Sequence, residues 1–297
     1  MRRFVLWLIC VLLTVSAFAS SSPEVRSDSY QQDYAKWRKD LDDNRRKNWL
    51  TLVGLFWLRD GENRVGSNPK NEVPLPAGKV PAQVGVIEFH SGKAVFKANA
   101  SAHVSVEGKP VQTVSLQPDI SGHPTVLETG DLRMHLIRRG QRFGMRVKDL
   151  HSPELQTFKG TEFYPLGDNY LVRAKFIPYA APKKVAVPTV IGQDAQMESP
   201  GEVEFMLNGQ KIRLQAMTEG TPNLMLIVKD KTSGKGTYPA GRFIDTTAPK
   251  DGEVIVDFNR AYNPPCAFTA YATCPMPPRQ NWLPLAVEAG EKYSGHH

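Results

Sequence analysis

The densest chemistry in this chain lies between Asp257 and Leu283, DFNRAYNPPCAFTAYATCPMPPRQNWL, which carries two cysteines and five prolines. Asp257 and Asn259 close the apolar run VIVDFN, which reads as a strand. Polar side chains at a strand end, just before an irregular loop, are well placed to line a site. Arg260 and the earlier Arg242 are candidate partners for Asp257. Asn263-Pro264-Pro265 forces an extended path, because proline fixes φ and turns the preceding residue away from helix. The candidate ligand-binding set is therefore Arg242, Asp257, Asn259, Tyr262 and Asn263. An enzyme built here would use Asp257 as base, Cys266 or water as nucleophile and Arg242 as oxyanion partner.

Cys266 and Cys274 bracket the loop AFTAYAT and admit three readings. A disulfide would pin the loop to the core and contribute about 2–4 kcal/mol. A metal held by both thiols and a histidine would use a C-x7-C spacing that is not a standard ligand pattern. A nucleophilic Cys266 needs an electropositive, partly exposed setting, which Arg242 or Arg260 would supply. In an oxidising compartment an even pair favours the disulfide.

Arg138, Arg139, Arg142 and Arg146 cluster in LIRRGQRFGMRVKD, around a hairpin turn near Gly140. Some of them share a face of such a hairpin, and grouped guanidiniums hold carboxylates or phosphates bidentately. The plainer reading is a solvated hairpin with Lys148–Asp149 ion pairing. His90, His103, His123, His135, His151, His296 and His297 form neither H-x-H nor H-E-x-x-H, so neither a metal nor a cofactor is expected. DKTSGKGTYPAGR, residues 230–242, lacks Walker spacing and reads as a tight hairpin. Ser67-Asn68-Pro69-Lys70 matches S-x-x-K, but Pro69 denies the helix that would bring Lys to Ser.

The elements that position these residues are mostly short strands. LVGLFWL, VGVIEF, AVFKA, LRMHLIRR, GEVEFMLNGQKIRLQAM, LMLIVKD and VIVDF alternate with turns such as EGK, NGQ, SGK and RRGQ. One segment differs. Tyr30, Tyr34, Trp37 and Leu41 form a single helical stripe, with Ser29 and Gln32 as a capping box. The expected fold is mainly β, with antiparallel sandwich or barrel-like sheets and one N-terminal amphipathic helix. The expected division is a leader and helix over 20–49, a sandwich over 50–155 and a second β region over 156–297 with the Pro/Cys-rich loop.

Residues 1–19 have a basic start, an apolar run and Ala17-Phe18-Ala19, the pattern of a signal peptide cleaved before Ser20. The expected address is periplasmic or secreted, with no transmembrane segment after cleavage. Loss of Arg2 and Arg3 takes the formal charge from +7 to +5. No basic stripe with interleaved aromatics marks a nucleic-acid binder.

LRDGENRVGSNPKNEVPLP, residues 58–76, resembles the opening of a forkhead-associated (FHA) domain through Gly61, Val65-Gly66, Asn71, Val73 and Leu75. Ser67 stands where that family has its phosphate-binding arginine, and the Ser-x-x-His element is missing, so the resemblance implies the sandwich without its phosphothreonine site. TYPAGRFIDT, VDFNRAYNPPCAFTAYATCPMPPRQNWLPLAVEAGEK and NWLTLVGLFWLRDGENRVGS resemble a bacterial family known as domain of unknown function 1684, over nearly the whole mature chain. That resemblance implies a secreted or periplasmic β-rich protein and no particular reaction. The expected function is a small-molecule or carbohydrate binding, envelope-associated module, with a small anionic or sugar ligand. The alternative is a hydrolase-like enzyme around Asp257, Arg242 and Cys266.

Overall fold

The computed structural model describes residues 25–295. The signal peptide, its cleavage point and His296-His297 lie outside the described residues. Strands account for 44% of the fold and helix for 17%, which makes it mainly β. Two sheets of six strands and one of five carry it, antiparallel except for a short parallel contact between Gly61–Gly66 and Val73–Pro74.

The first six-stranded sheet and the five-stranded sheet face one another as a sandwich. Val65, Ile87 and Phe96 from one layer meet Leu132, Met134, Leu136, Met145 and Val147 from the other. Alternation builds this core, since a strand turns successive side chains to opposite faces. In Leu132–Arg139 and Arg142–Asp149 the inward residues are 132, 134, 136, 145 and 147, which leaves His135, Arg139, Arg146 and Lys148 on the outer face. The hairpin turns take the expected residues: Ser91-Gly92, Glu107-Gly108 and Asn208-Gly209 all have both φ angles positive.

The second core belongs to the C-terminal half. Strands Leu171–Pro188, Asp194–Leu207 and Gln210–Thr218 form its ladder, joined by Met225–Val228, Arg242–Asp245 and Glu253–Asp257. Val203, Phe205, Leu214, Leu226, Val256 and Phe258 pack there with Leu283, Leu285 and Val287 of the final irregular segment. Residues 229–241 connect two of these strands as a long loop rather than the tight hairpin expected.

The helix Asp28–Asn44 is capped by Ser27, whose hydroxyl accepts from the Tyr30 N–H at 3.3 Å, so the cap lies two residues before Ser29. Tyr34 and Trp37 meet the ring of Phe163 edge-on. The chain then runs on through one π-helical turn, Arg45–Trp49, in which the Leu50 N–H donates to the Arg45 carbonyl at 2.9 Å. Such turns are rare and frequent at functional sites. This one buries Arg45 completely, against the rings of Trp49 and Phe268, with Glu291 as its ion pair.

Candidate functional site

The residues expected to bind or react are taken up by internal partners as structural locks. Arg242 is buried and pairs with Asp230 at 2.9 Å, not with Asp257, and it also donates to the carbonyls of Val287, Ala289 and Glu291. It ties the final segment to the sheet. Asp257 accepts from the Tyr30 hydroxyl at 2.8 Å and pairs with Arg260 at 3.1 Å. Burial pushes its carboxyl above the usual range, against the pull of Tyr30 and Arg260. Asn259 exchanges hydrogen bonds with Gly167, and Asn263 donates from its backbone to Glu291 and from its side chain to the Lys292 carbonyl. The Tyr262 hydroxyl donates to Asp245 at 2.9 Å. Burial and the Asp245 charge raise that phenol well above its ordinary value.

Cys266 and Cys274 are two free thiols, not the expected disulfide. They are nonetheless in contact: the Cys266 N–H donates to the Cys274 sulfur at 3.2 Å. Their mutual contact lowers Cys266 and, together with burial, raises Cys274, so Cys266 is the more acidic thiol of the two. Neither Arg242 nor Arg260 acts on Cys266; its polar neighbours are Cys274 and Tyr238. Among the described residues no three His, Cys, Asp or Glu side chains gather as a metal site would need.

A different place brings chemistry together. Between the outer face of the first sheet and the C-terminal half lies a cleft of about 880 Å³. Strands Leu132–Arg139 and Arg142–Asp149 supply His135, Arg139, Arg146 and Lys148 as one wall. Thr273 and Cys274 come from the proline-rich loop, and Trp49 and Asn48 from the π-helical turn. Leu52, Ile191, Met197 and Phe243 add an apolar side.

The basic wall is only partly compensated. Arg139 pairs with Asp119 at 2.6 Å and donates from Nε to the Thr273 hydroxyl at 3.0 Å. Arg146 reaches the same hydroxyl at 3.4 Å, and its buried Nε has no hydrogen-bond partner. No carboxylate stands within ion-pair distance of Arg146 or of Lys148 among the described residues; Lys148 donates instead to Asn48 at 3.0 Å. Burial, and then the Arg139 charge, pull Arg146 down to about 10. Burial and the Arg146 and Lys148 charges pull His135 down to about 4, so it is neutral at neutral pH. Asp194 and Glu219 also line the cleft, but neither is among the charges acting on Arg146.

Of the four clustered arginines, two serve the cleft directly. Arg142 stacks over Trp57 at 4.0 Å, and Arg138, though on the lining, turns its guanidinium back to the Gly140 carbonyl and the Phe143 ring. The expected Lys148–Asp149 pairing does not form, because the two point to opposite faces and Asp149 pairs with Lys79. Reading the alternation of these two strands one residue at a time separates Arg139, Arg146 and Lys148 from the core positions, a signal present in the sequence. Trp49, Asn48 and Thr273 carried no such signal, since a π-turn and a distant loop deliver them.

Fold and cleft together define an antiparallel β protein with a positively charged recess between two packed units. Residues 156–292 match the model of the family described as "Protein of unknown function (DUF1684)". The resemblance expected over nearly the whole mature chain is thus supported for the C-terminal half. An uncharacterized protein of Haloarcula marismortui, solved by NMR, is 31% identical, with 49% of this chain and 83% of its own covered and a TM-score of 0.42. A structure from a study of phosphothreonine-dependent FHA domain interactions is 20% identical, with 33% of this chain and 96% of its own covered and a TM-score of 0.23. No curated protein matches the chain. Among the described residues no helix is long and apolar enough to cross a membrane.

Proposed function

We propose that the protein is a binding module for a small organic anion, a carboxylate or phosphate, held in the cleft at Arg146. One observation carries this reading: Arg146 lines the cleft without a carboxylate partner, beside a second arginine and a lysine that also lacks one. Burying a charge without a partner is costly. An oxyanion in the cleft would supply the missing countercharge and bridge Arg139 and Arg146, where charge-assisted hydrogen bonds are strongest. A sugar ligand is less well served, because the polar wall is mainly cationic donors and the Trp49 ring is packed on Phe268 and Tyr262. A hydrolase is less well served, because Arg242 pairs with Asp230, Asp257 with Arg260, and neither arginine acts on Cys266. The amino-terminal sequence favours a periplasmic or secreted setting for this binding.

An anionic reporter dye, anilinonaphthalene sulfonate, tests the proposal when titrated into the wild type and Arg146→Met. One saturable site, lost in the variant, is the expected result. Equal binding to both would contradict it.

A further inference from the structure

We infer that the ligand of this cleft is an amphiphile, an oxyanion head on a hydrocarbon chain. The inference rests on the anion reading above and names the class of molecule. A lone inorganic anion would fill a small nest at Arg139, Arg146 and Thr273. The recess of about 880 Å³ is far larger, near the upper end of the range for small-molecule sites. Beyond the guanidiniums it is lined by Trp49, Leu52, Ile191, Met197 and Phe243. At its edge stands Ile120, with 60% of its surface exposed, and Val190 beside Ile191 is 37% exposed. The basic and apolar residues come from different elements. Strands 132–139 and 142–149 give the guanidiniums, whereas Trp49 comes from the π-turn, Ile191 from the 189–193 connection, Met197 from the strand Asp194–Leu207 and Phe243 from the strand Arg242–Asp245.

That separation is the arrangement an amphiphile needs. The head is fixed by Arg146, Arg139 and Thr273, with neutral His135 and Lys148 beside it. The chain lies along Trp49 and Phe243 toward Ile120. Burying hydrocarbon against such a wall removes it from water, and each methylene covered adds to affinity. A carboxylate or a phosphate monoester would serve equally as head group. The shared chemistry is a compact oxyanion on a linear alkyl chain.

Two homologous series of probes test the inference, measured by heat of binding below their micellar concentrations. One runs from acetate through hexanoate to decanoate; the other pairs inorganic phosphate with hexyl and decyl phosphate. Affinity should rise roughly two- to fourfold per added methylene until the cleft is filled. The series that binds more tightly at equal chain length identifies the head group. Ile120→Ser, an exposed rim change, should weaken decanoate and leave hexanoate unchanged. Affinity independent of chain length, with binding intact, would overturn the amphiphile and leave the anion reading standing. An unchanged decanoate affinity in Ile120→Ser would overturn it as well. If no anion of either series binds, both readings fall.

Discussion

His135 and Arg146 stand directly opposite one another on the antiparallel strands Leu132–Arg139 and Arg142–Asp149, and both face the cleft. Their sheet turns its other side to a dry sandwich core. This single register therefore places a half-buried imidazole beside a half-buried guanidinium, whose charge makes the protonated imidazole harder to hold.

Acid should destabilise the protein through His135. Its folded value is about 4 against an ordinary 6.5, so the unfolded chain takes up the proton first. Stability is fully present above pH 6.5 and falls as pH drops toward 4, by up to about 3 kcal/mol. Denaturant unfolding at pH 7.5 and 4.5, for wild type and His135→Gln, measures this. The variant should lose less stability on acidification; an equal loss in both would assign it elsewhere.

Replacing Arg146 should not harm the fold. Arg146→Met removes a desolvated charge beside Arg139 and keeps most of the side-chain volume. The thermal midpoint is expected to stay level or rise. A marked fall would mean that Arg146 is a structural residue.

Arg242→Ala should behave in the opposite way. It leaves Asp230 buried without its partner and three carbonyls without their donor. Breaking a buried pair by removing one side costs about 3–5 kcal/mol. Denaturant unfolding should show that loss, and a variant as stable as wild type would contradict the lock described here.

Asp257→Asn separates the locks from the cleft. The carboxylate's bonds to Tyr30 and Arg260 hold the N-terminal helix. Their weakening should cost about 1–3 kcal/mol, with affinity for hexanoate unchanged. Loss of ligand binding with full stability would restore Asp257 to a site.

Much of the fold was legible because local rules govern it. Paired turn residues such as Asn208-Gly209 and the alternation in LRMHLIRR mark hairpins without reference to anything distant. The candidate site was less legible. Arg242, Asn259 and Asn263 have the residue types of a binding site, yet burial with partners such as Asp230, Gly167 and Glu291 turns those groups into structural ties. Their partners lie far along the chain or follow no local period, so spacing could not reveal them. The arginine cluster was visible, but the solvated-hairpin reading omitted the C-terminal loop, the 189–193 connection and the start of strand Asp194–Leu207, which line the cleft opposite it. Trp49 lay beyond reach because the π-helical turn shifts it from the stripe that Tyr30, Tyr34, Trp37 and Leu41 announce.

The most direct measurement follows the Arg146 Nε–H by NMR while hexanoate is added. This group is buried and lacks an acceptor in the structure. Its resonance is expected to move and saturate with one bound hexanoate, together with that of Arg139. An Arg146 Nε–H that stays unmoved at saturating hexanoate would contradict the claim that this cleft is an anion site.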